Sequence, residues 1–271
     1  MRRHSLNQLS PSIVAQVRYP QTPSTADVMK YRGKTTRAVA NCTNCELHKH
    51  SRPIPFEGIA RPKFVVVGGE PYGDEETPFS IGGGKMLRAF FRSTGINPTA
   101  DVMYLNTVSC HPHTEGKSRA PSATETLACR GNLLAQIEAG YTPFVLLVGR
   151  ALRAFRDDLT VTHHHGEIFV WNDLYVVMPI LNPAAVLEGQ SQYKALIKAD
   201  LDRWRDLVWG DDDPLASIGR FCSDPKCGLE ATYWDRDAVP YCGKHWTKGK
   251  GQWEKQRLRW SGDPAVQLEI W

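Results

Sequence analysis

Four consecutive apolar residues, Phe64-Val65-Val66-Val67, run directly into Gly68-Gly69-Glu70-Pro71-Tyr72-Gly73. An unbroken run of this kind has no polar face to offer to water. It therefore has to be covered on both sides, which is the condition of a strand inside a parallel sheet. The glycines that follow let a backbone or a ligand approach closely where the strand ends. A second run, Phe144–Val148, has the same character and leads into Gly149-Arg150. Val102–Val108 reads as another strand. Ile168–Val170 and Leu174–Met178 read as a strand pair around Asn172-Asp173. Between them lie helical periodicities at Lys85–Ser93, Ala123–Ala139, Arg150–Phe155 and Tyr193–Val208. Strand and helix alternate, so the expected fold class is α/β, a central and mostly parallel sheet flanked by helices. Ligands in such folds bind at the carboxyl ends of the strands.

The organisation follows from local composition. Residues 1–24 show little periodicity and are expected to be a flexible arm, and 25–212 the α/β domain. At Asp211-Asp212-Asp213-Pro214 the composition shifts, with a small module expected over 213–250 and a basic, aromatic tail over 251–271. The net charge of +4 is modest but unevenly spread, since residues 1–62 carry ten Lys/Arg against three Asp/Glu. The end of the chain interleaves Lys244, Lys248, Lys250, Lys255, Arg257 and Arg259 with Trp246, Trp253 and Trp260, a pattern suited to phosphate and unpaired bases. No apolar run approaches the ~20 residues of a membrane helix. Met1-Arg2-Arg3-His4 is not followed by an apolar segment, so no secretory signal is expected.

Seven cysteines do not make a complete disulfide framework. Three of them, with one histidine, form Cys222-x4-Cys227-x14-Cys242-x2-His245. This spacing suits a tetrahedral Cys3His zinc site, and so short a segment needs such a staple to fold. The other four are Cys42-x2-Cys45, Cys110 and Cys129. Their spacing admits either a second zinc site or an iron–sulfur cluster.

Residues 38–208 resemble a family-four uracil-DNA glycosylase, the iron–sulfur type. The resemblance rests on Cys42-Thr-Asn-Cys45, the strand Val65–Val67 with its loop Gly68–Gly73, and Pro78-Phe79-Ser80-Ile81-Gly82. It continues through Tyr104–Cys110, Glu125–Cys129, Leu147-Val148-Gly149-Arg150-Ala151, His165-Gly166 and Leu181-Asn182-Pro183-Ala184-Ala185. It implies that Cys42, Cys45, Cys110 and Cys129 ligate a [4Fe–4S] cluster. It also implies that the substrate is uracil in DNA, single- or double-stranded, and that the protein is monomeric, cytoplasmic and nucleoid-associated.

Cleaving a base from deoxyribose requires extrusion of the base, stabilisation of the leaving base as an anion, and a carboxylate near the attacking water. Aligned without gaps, Gly68–Tyr72 resembles the first motif of another branch of the superfamily. Glu70 then stands at the water-orienting acid, and Tyr72 at the residue that excludes thymine. Family four usually has Glu where this chain has Gly69. Asp74, Glu75 and Glu76 are expected to be surface charges. Phe79 matches the aromatic that stacks on the base, and Asn106 the amide that reads the pyrimidine edge. Asn182 stands where family four has His, so slower or altered catalysis is expected. His165 matches a basic residue that contacts DNA. Leu187 is a candidate wedge into the vacated base stack. The loop Gly116–Pro121 lacks the His of cross-linking relatives, so covalent trapping is not expected.

The expected function is thus a uracil-DNA glycosylase with Glu70 and Asn182 as catalytic residues and Gly69, Tyr72, Phe79, Asn106 and His165 binding substrate. A non-catalytic DNA-binding protein, or a glycosylase for another deaminated or modified base, are the alternatives. The final Gln267-Leu268-Glu269-Ile270-Trp271 resembles peptides that dock on bacterial sliding clamps.

Overall fold

A computed structural model describes residues 23–209, save Asp74 and Asp173, and the backbone of an antiparallel strand pair at Tyr233–Trp234 and Pro240–Tyr241. The expected arm over 1–24 (apart from its last two residues), the set Cys222, Cys227, Cys242 and His245, and the tail ending in Gln267–Trp271 lie outside the described residues.

In chain order the elements are α1 (Thr25–Ala40), β1 (Glu57–Gly58), β2 (Phe64–Gly68), α2 (Gly83–Ser93) and β3 (Val102–Asn106). There follow a hairpin of β4 (His113–Thr114) and β5 (Lys117–Ser118), then α3 (Ala123–Glu138), β6 (Phe144–Val148), α4 (Val161–His164) and β7 (Phe169–Trp171). β8 (Tyr175–Ile180), α5 (Ala184–Leu187) and α6 (Tyr193–Trp209) complete the domain, with 3-10 segments at Glu46–Lys49 and Gly149–Ala154.

The main sheet has six strands in the order β1-β3-β2-β6-β8-β7. The four inner strands are parallel, and the two short edge strands run antiparallel to their neighbours. Every residue of β2 is buried, as its unbroken apolar run requires. Its residues divide by parity. Phe64 and Val66 join Val102, Tyr104, Leu146 and Val148 on one face, under α2 and α6. Val65 and Val67 join Met103, Leu105, Val145 and Leu147 on the other, under α3. The chain passes from β2 to β3 on one side and later to β6 on the other, so the strand order reverses at β2. In an open α/β sheet that reversal opens a crevice at the strand's carboxyl end. Here that end is Gly68-Gly69-Glu70.

The local differences from the sequence-based expectation have physical causes. The second strand stops at Asn106 rather than Val108, because its partner β2 stops at Gly68, directly opposite Asn106. The amides of Thr107 and Val108 turn back instead onto the carbonyls of Gly68 (2.8 Å) and Gly69 (3.1 Å). The expected helix at 150–155 is the 3-10 segment Gly149–Ala154. α1 carries too few apolar residues to announce itself. Its buried face is Val28, Arg32, Thr35 and Val39, and Ser24 caps it by accepting the Asp27 amide.

Arg32 docks that helix. Its guanidinium donates to the Gly58 carbonyl (2.7 Å), the Ala139 carbonyl (3.2 Å) and Met103 Sδ (2.9 Å), and lies 4.5 Å over the Phe56 ring. Among the described residues no helix is long and apolar enough to cross a membrane. Because Arg32→Ala leaves the buried Ala139 carbonyl without its donor and removes the bond to the Gly58 carbonyl, it is expected to lower the unfolding free energy by roughly 3 kcal/mol. Chemical denaturation followed by far-UV circular dichroism measures this.

Candidate active site at the strand ends

Gly68 and Gly69 have no space for side chains. A Cβ on Gly68 would stand 2.3 Å from Asn106 Oδ1 and 2.8 Å from the Phe79 ring. One on Gly69 would stand 2.6 Å from Cγ of Arg150. These glycines bring the ends of β2 and β3, the loop that carries Phe79 and the segment after β6 into one place. Gly149 extends the cluster. Its backbone takes a positive φ of 58°, and a Cβ there would meet Asn182 Cβ at 3.0 Å. Glu70 and Phe79 from the loop after β2, with Asn106, Arg150 and Asn182 from three further segments, thus converge on one crevice.

Glu70 is 17% exposed through its side chain, and one of its oxygens pairs with the Arg150 guanidinium at 3.0 Å. Its other oxygen, Oε2, is buried without a hydrogen-bond partner. Burial pushes the Glu70 carboxyl above the usual range, and the positive charge of Arg150 partly opposes this. Asn106 is buried, and its Nδ2 also lacks a partner.

Phe79 packs against Tyr104, with ring centroids 5.6 Å apart. It holds a left-handed backbone, φ 61°, which is unusual for an aromatic residue and is the kind of local strain that functional sites retain. Two features hold it there. Gly84 lies flat against the Phe79 backbone, where a Cβ would come within 2.4 Å. The Arg88 guanidinium donates to the carbonyls of Phe79 and Pro78, pairs with Glu57 at 3.0 Å, and sits 4.0 Å over Tyr104.

Glu75, expected at the surface, is half-buried. It accepts the amides of Tyr72 (3.2 Å) and Ser80 (2.9 Å) and thereby pins the loop between Glu70 and Phe79. Burial again raises its carboxyl pKa against those hydrogen bonds. Asp74 lies outside the described residues, and Glu76 is exposed.

The remaining candidates stand around the crevice. Tyr72 is 66% exposed, with its ring 6.3 Å from His111. Asn182 is exposed. Its Oδ1 accepts the Ala184 amide at 3.0 Å, which leaves the amide nitrogen as its donor end. Leu187 is exposed on α5, at the far end of the same turn. His165 is held by Nδ1 against Asp200 of α6 at 2.7 Å, with Arg203 donating to the Gly166 carbonyl beside it. Burial raises the Asp200 carboxyl pKa, while His165 and Arg203 oppose the shift.

A second neighbourhood gathers Cys42, Cys45, Cys110 and Cys129, all free thiols. Cys42 and Cys45 follow the end of α1, Cys110 follows β3, and Cys129 lies in α3. The start of α3 is fixed by a reciprocal cap between Ser122 and Glu125. Cys110 and Cys129 are buried with Leu47 and Val108, Cys45 packs on them, and Asn132 donates to Cys42 Sγ at 3.1 Å. Burial, and the proximity of the Cys129, Cys45 and Cys42 thiols, push the Cys110 thiol up to about 12. Burial likewise raises the Cys129 thiol, and two thiols so disfavoured as anions suit a site where a metal centre supplies the balancing charge. Among the described residues no three metal-ligating side chains meet at a single-ion site. Four thiols in one neighbourhood are a donor set that suits a cluster taking one thiolate per iron.

Arg150, Arg88 and Asp200 were not singled out by sequence reasoning. Arg150 carried a signal, because it follows a buried strand and its glycine. Arg88 and Asp200 sit in ordinary amphipathic helices and carried none.

The chain is similar to known proteins. The Type-4 uracil-DNA glycosylase of Thermotoga maritima is 28% identical to this chain over 179 residues, 63% of this chain and 91% of that protein. A family model, the uracil DNA glycosylase superfamily, matches residues 55–207, from the approach to β1 nearly to the end of α6. With the parallel sheet and a strand-end crevice within the matched segment, the chain belongs to the uracil DNA glycosylase superfamily.

Proposed function

We propose that this protein is a monofunctional DNA glycosylase that hydrolyses the N-glycosidic bond of uracil in DNA. The observation that carries the reading is the pair of unpartnered buried polar atoms, Glu70 Oε2 and Asn106 Nδ2, at adjacent strand ends. Native structures seldom leave such atoms unpaired unless a ligand or water completes them. Uracil and an attacking water supply the missing partners.

In this scheme the extruded base lies against Phe79, and the Asn106 amide offers a donor and an acceptor to the pyrimidine edge. A water molecule adds its oxygen to C1′ of the deoxyribose, and Glu70 takes its proton. The C1′–N1 bond breaks, and its electron pair departs on the base as a uracil anion. The Asn182 amide nitrogen donates a hydrogen bond to the developing charge on O2. The products are uracil and an abasic site. Cys42, Cys45, Cys110 and Cys129 would hold a [4Fe–4S] cluster as a structural centre that ties the end of α1 to β3 and α3. The same proposal assigns zinc to Cys222, Cys227, Cys242 and His245, and a sliding-clamp contact to Gln267–Trp271.

A second reading, glycosylase action on a different deaminated or 5-substituted pyrimidine, is favoured by one observation. Tyr72 is largely exposed with its ring toward His111, so steric exclusion of thymine is not built in by this side chain.

Uracil-containing oligonucleotides, single-stranded or as U·G and U·A duplexes, should be cleaved by alkali after incubation with the protein. Intact strands from all three would sink the proposal, and release from a panel of other damaged bases would select the second reading. Glu70→Gln is expected to slow base release by about 10²–10⁴-fold while retaining DNA binding. Glu70 must be ionised to act and its carboxyl is raised. The acid limb of kcat/KM is therefore expected above the ordinary glutamate range, with activity present above it and lost as pH falls through it. Purified under exclusion of oxygen, the protein is expected to bind about four irons in this centre. Cys110→Ser should lose that iron, its visible absorption and several degrees of thermal stability.

A further inference from the structure

The Glu70–Arg150 pair has a feature that the reaction scheme above does not use. The aliphatic stem of Arg150 crosses directly over Gly69, close enough that any Cβ there would overlap its Cγ and Cδ at 2.6 and 3.0 Å. The guanidinium then reaches one oxygen of Glu70 and leaves the other without a partner. The glycine at 69, the stem across it and the carboxylate at 70 are therefore one packing unit. A carboxylate at 69 is sterically incompatible with Arg150 in this position, whereas one at 70 is oriented by it.

We propose that Arg150 is a positioning residue for Glu70: it clamps one carboxylate oxygen so that the other is the single acceptor presented to the attacking water. This assignment rests on Glu70 being the proton acceptor of the proposed reaction. The geometry divides the labour between the two oxygens. An unclamped carboxylate on a glycine loop is free to sample several rotamers, and the contact to Arg150 selects one of them. The clamp also favours the ionised form that the reaction needs, against the burial that disfavours it.

Other groups near Glu70 do not substitute for this contact. Thr107 uses its hydroxyl on the Gly69 carbonyl, and Asn106 and Asn182 are neutral. Glu75, in the same loop as Glu70, is committed to the amides of Tyr72 and Ser80. Among the described residues, Arg150 is the charged side chain whose field acts on Glu70. Its own side chain is half exposed and belongs to neither core, so replacing it leaves the two cores untouched.

The test uses the full-length protein with its metal centres, labelled with 13C at the glutamate carboxyl, and compares wild type, Arg150→Met and Arg150→Lys. The Glu70 signal is assigned by its loss in Glu70→Gln. Arg150→Met is expected to raise the Glu70 titration midpoint and to move the acid limb of kcat/KM upward by the same amount. It should also lower kcat by roughly 10- to 100-fold with little change in KM. Arg150→Lys should restore most of the midpoint and part of kcat. Gly69→Ala keeps the positive charge but displaces the stem, and is expected to shift the midpoint in the same direction as Arg150→Met. An unchanged midpoint in Arg150→Met overturns the assignment. So does a fall in KM affinity alone, with kcat and the acid limb as in wild type. If wild type releases no base from any substrate, the proposed reaction fails. The carboxyl titration by itself then decides whether Arg150 clamps Glu70.

Discussion

The burial of β2 on both faces is the constraint from which the rest of the structure follows. Its four apolar residues need α2 and α6 on one side and α3 on the other, and these helices can be supplied only if the chain crosses over in both directions. That places β2 at the reversal of strand order and makes its carboxyl end a crevice. The glycines at 68 and 69 then allow the walls of the crevice to close to atomic contact, with Asn106 and Phe79 against one and Arg150 against the other. Core and site are thus parts of one arrangement, and the site is rigid because its backbone ends in the centre of the sheet.

Around that rigid base the chain keeps polar atoms in unfavourable settings. Glu70 is ionisable yet shielded from water, Asn106 keeps a buried donor unpaired, and Phe79 holds a left-handed backbone. Each costs free energy in the folded protein, and each is braced by neighbours that are themselves well satisfied. Arg88 makes four contacts to brace the Phe79 loop, and Glu75 accepts two amides to brace the turn before it. The same contrast appears at the cysteines, where a reciprocally capped helix delivers Cys129 beside Cys110, two thiols that burial disfavours as anions.

Strands were legible because burial on both faces leaves an unbroken apolar run, and long helices because burial of one face leaves a period. Phe64–Val67, Phe144–Val148 and Tyr193–Val208 read as they fold. α1 was not legible, since its buried face is half polar and its docking depends on where an arginine finds two carbonyls in distant segments. Glu75 read as a surface charge because its partners are backbone amides, which no residue pattern reveals. Arg150 stood in a quoted motif, yet nothing in the sequence indicates that its stem lies over Gly69.

The sequence by itself determined the α/β class, the strand that must be buried, the glycines at its end and the set of side chains able to carry the chemistry. These follow from local rules, the unbroken apolar run of a strand covered on both faces, the 3.6-residue period of helices and the small size of glycine. Only the tertiary structure decided which of those side chains meet. Glu70 and Arg150 lie eighty residues apart in the chain yet 3.0 Å apart in space, and Glu75 turns inward while Tyr72 turns out. Such choices depend on which surfaces the crossovers bring together, and that is fixed by the packing of the whole sheet rather than by any segment of it.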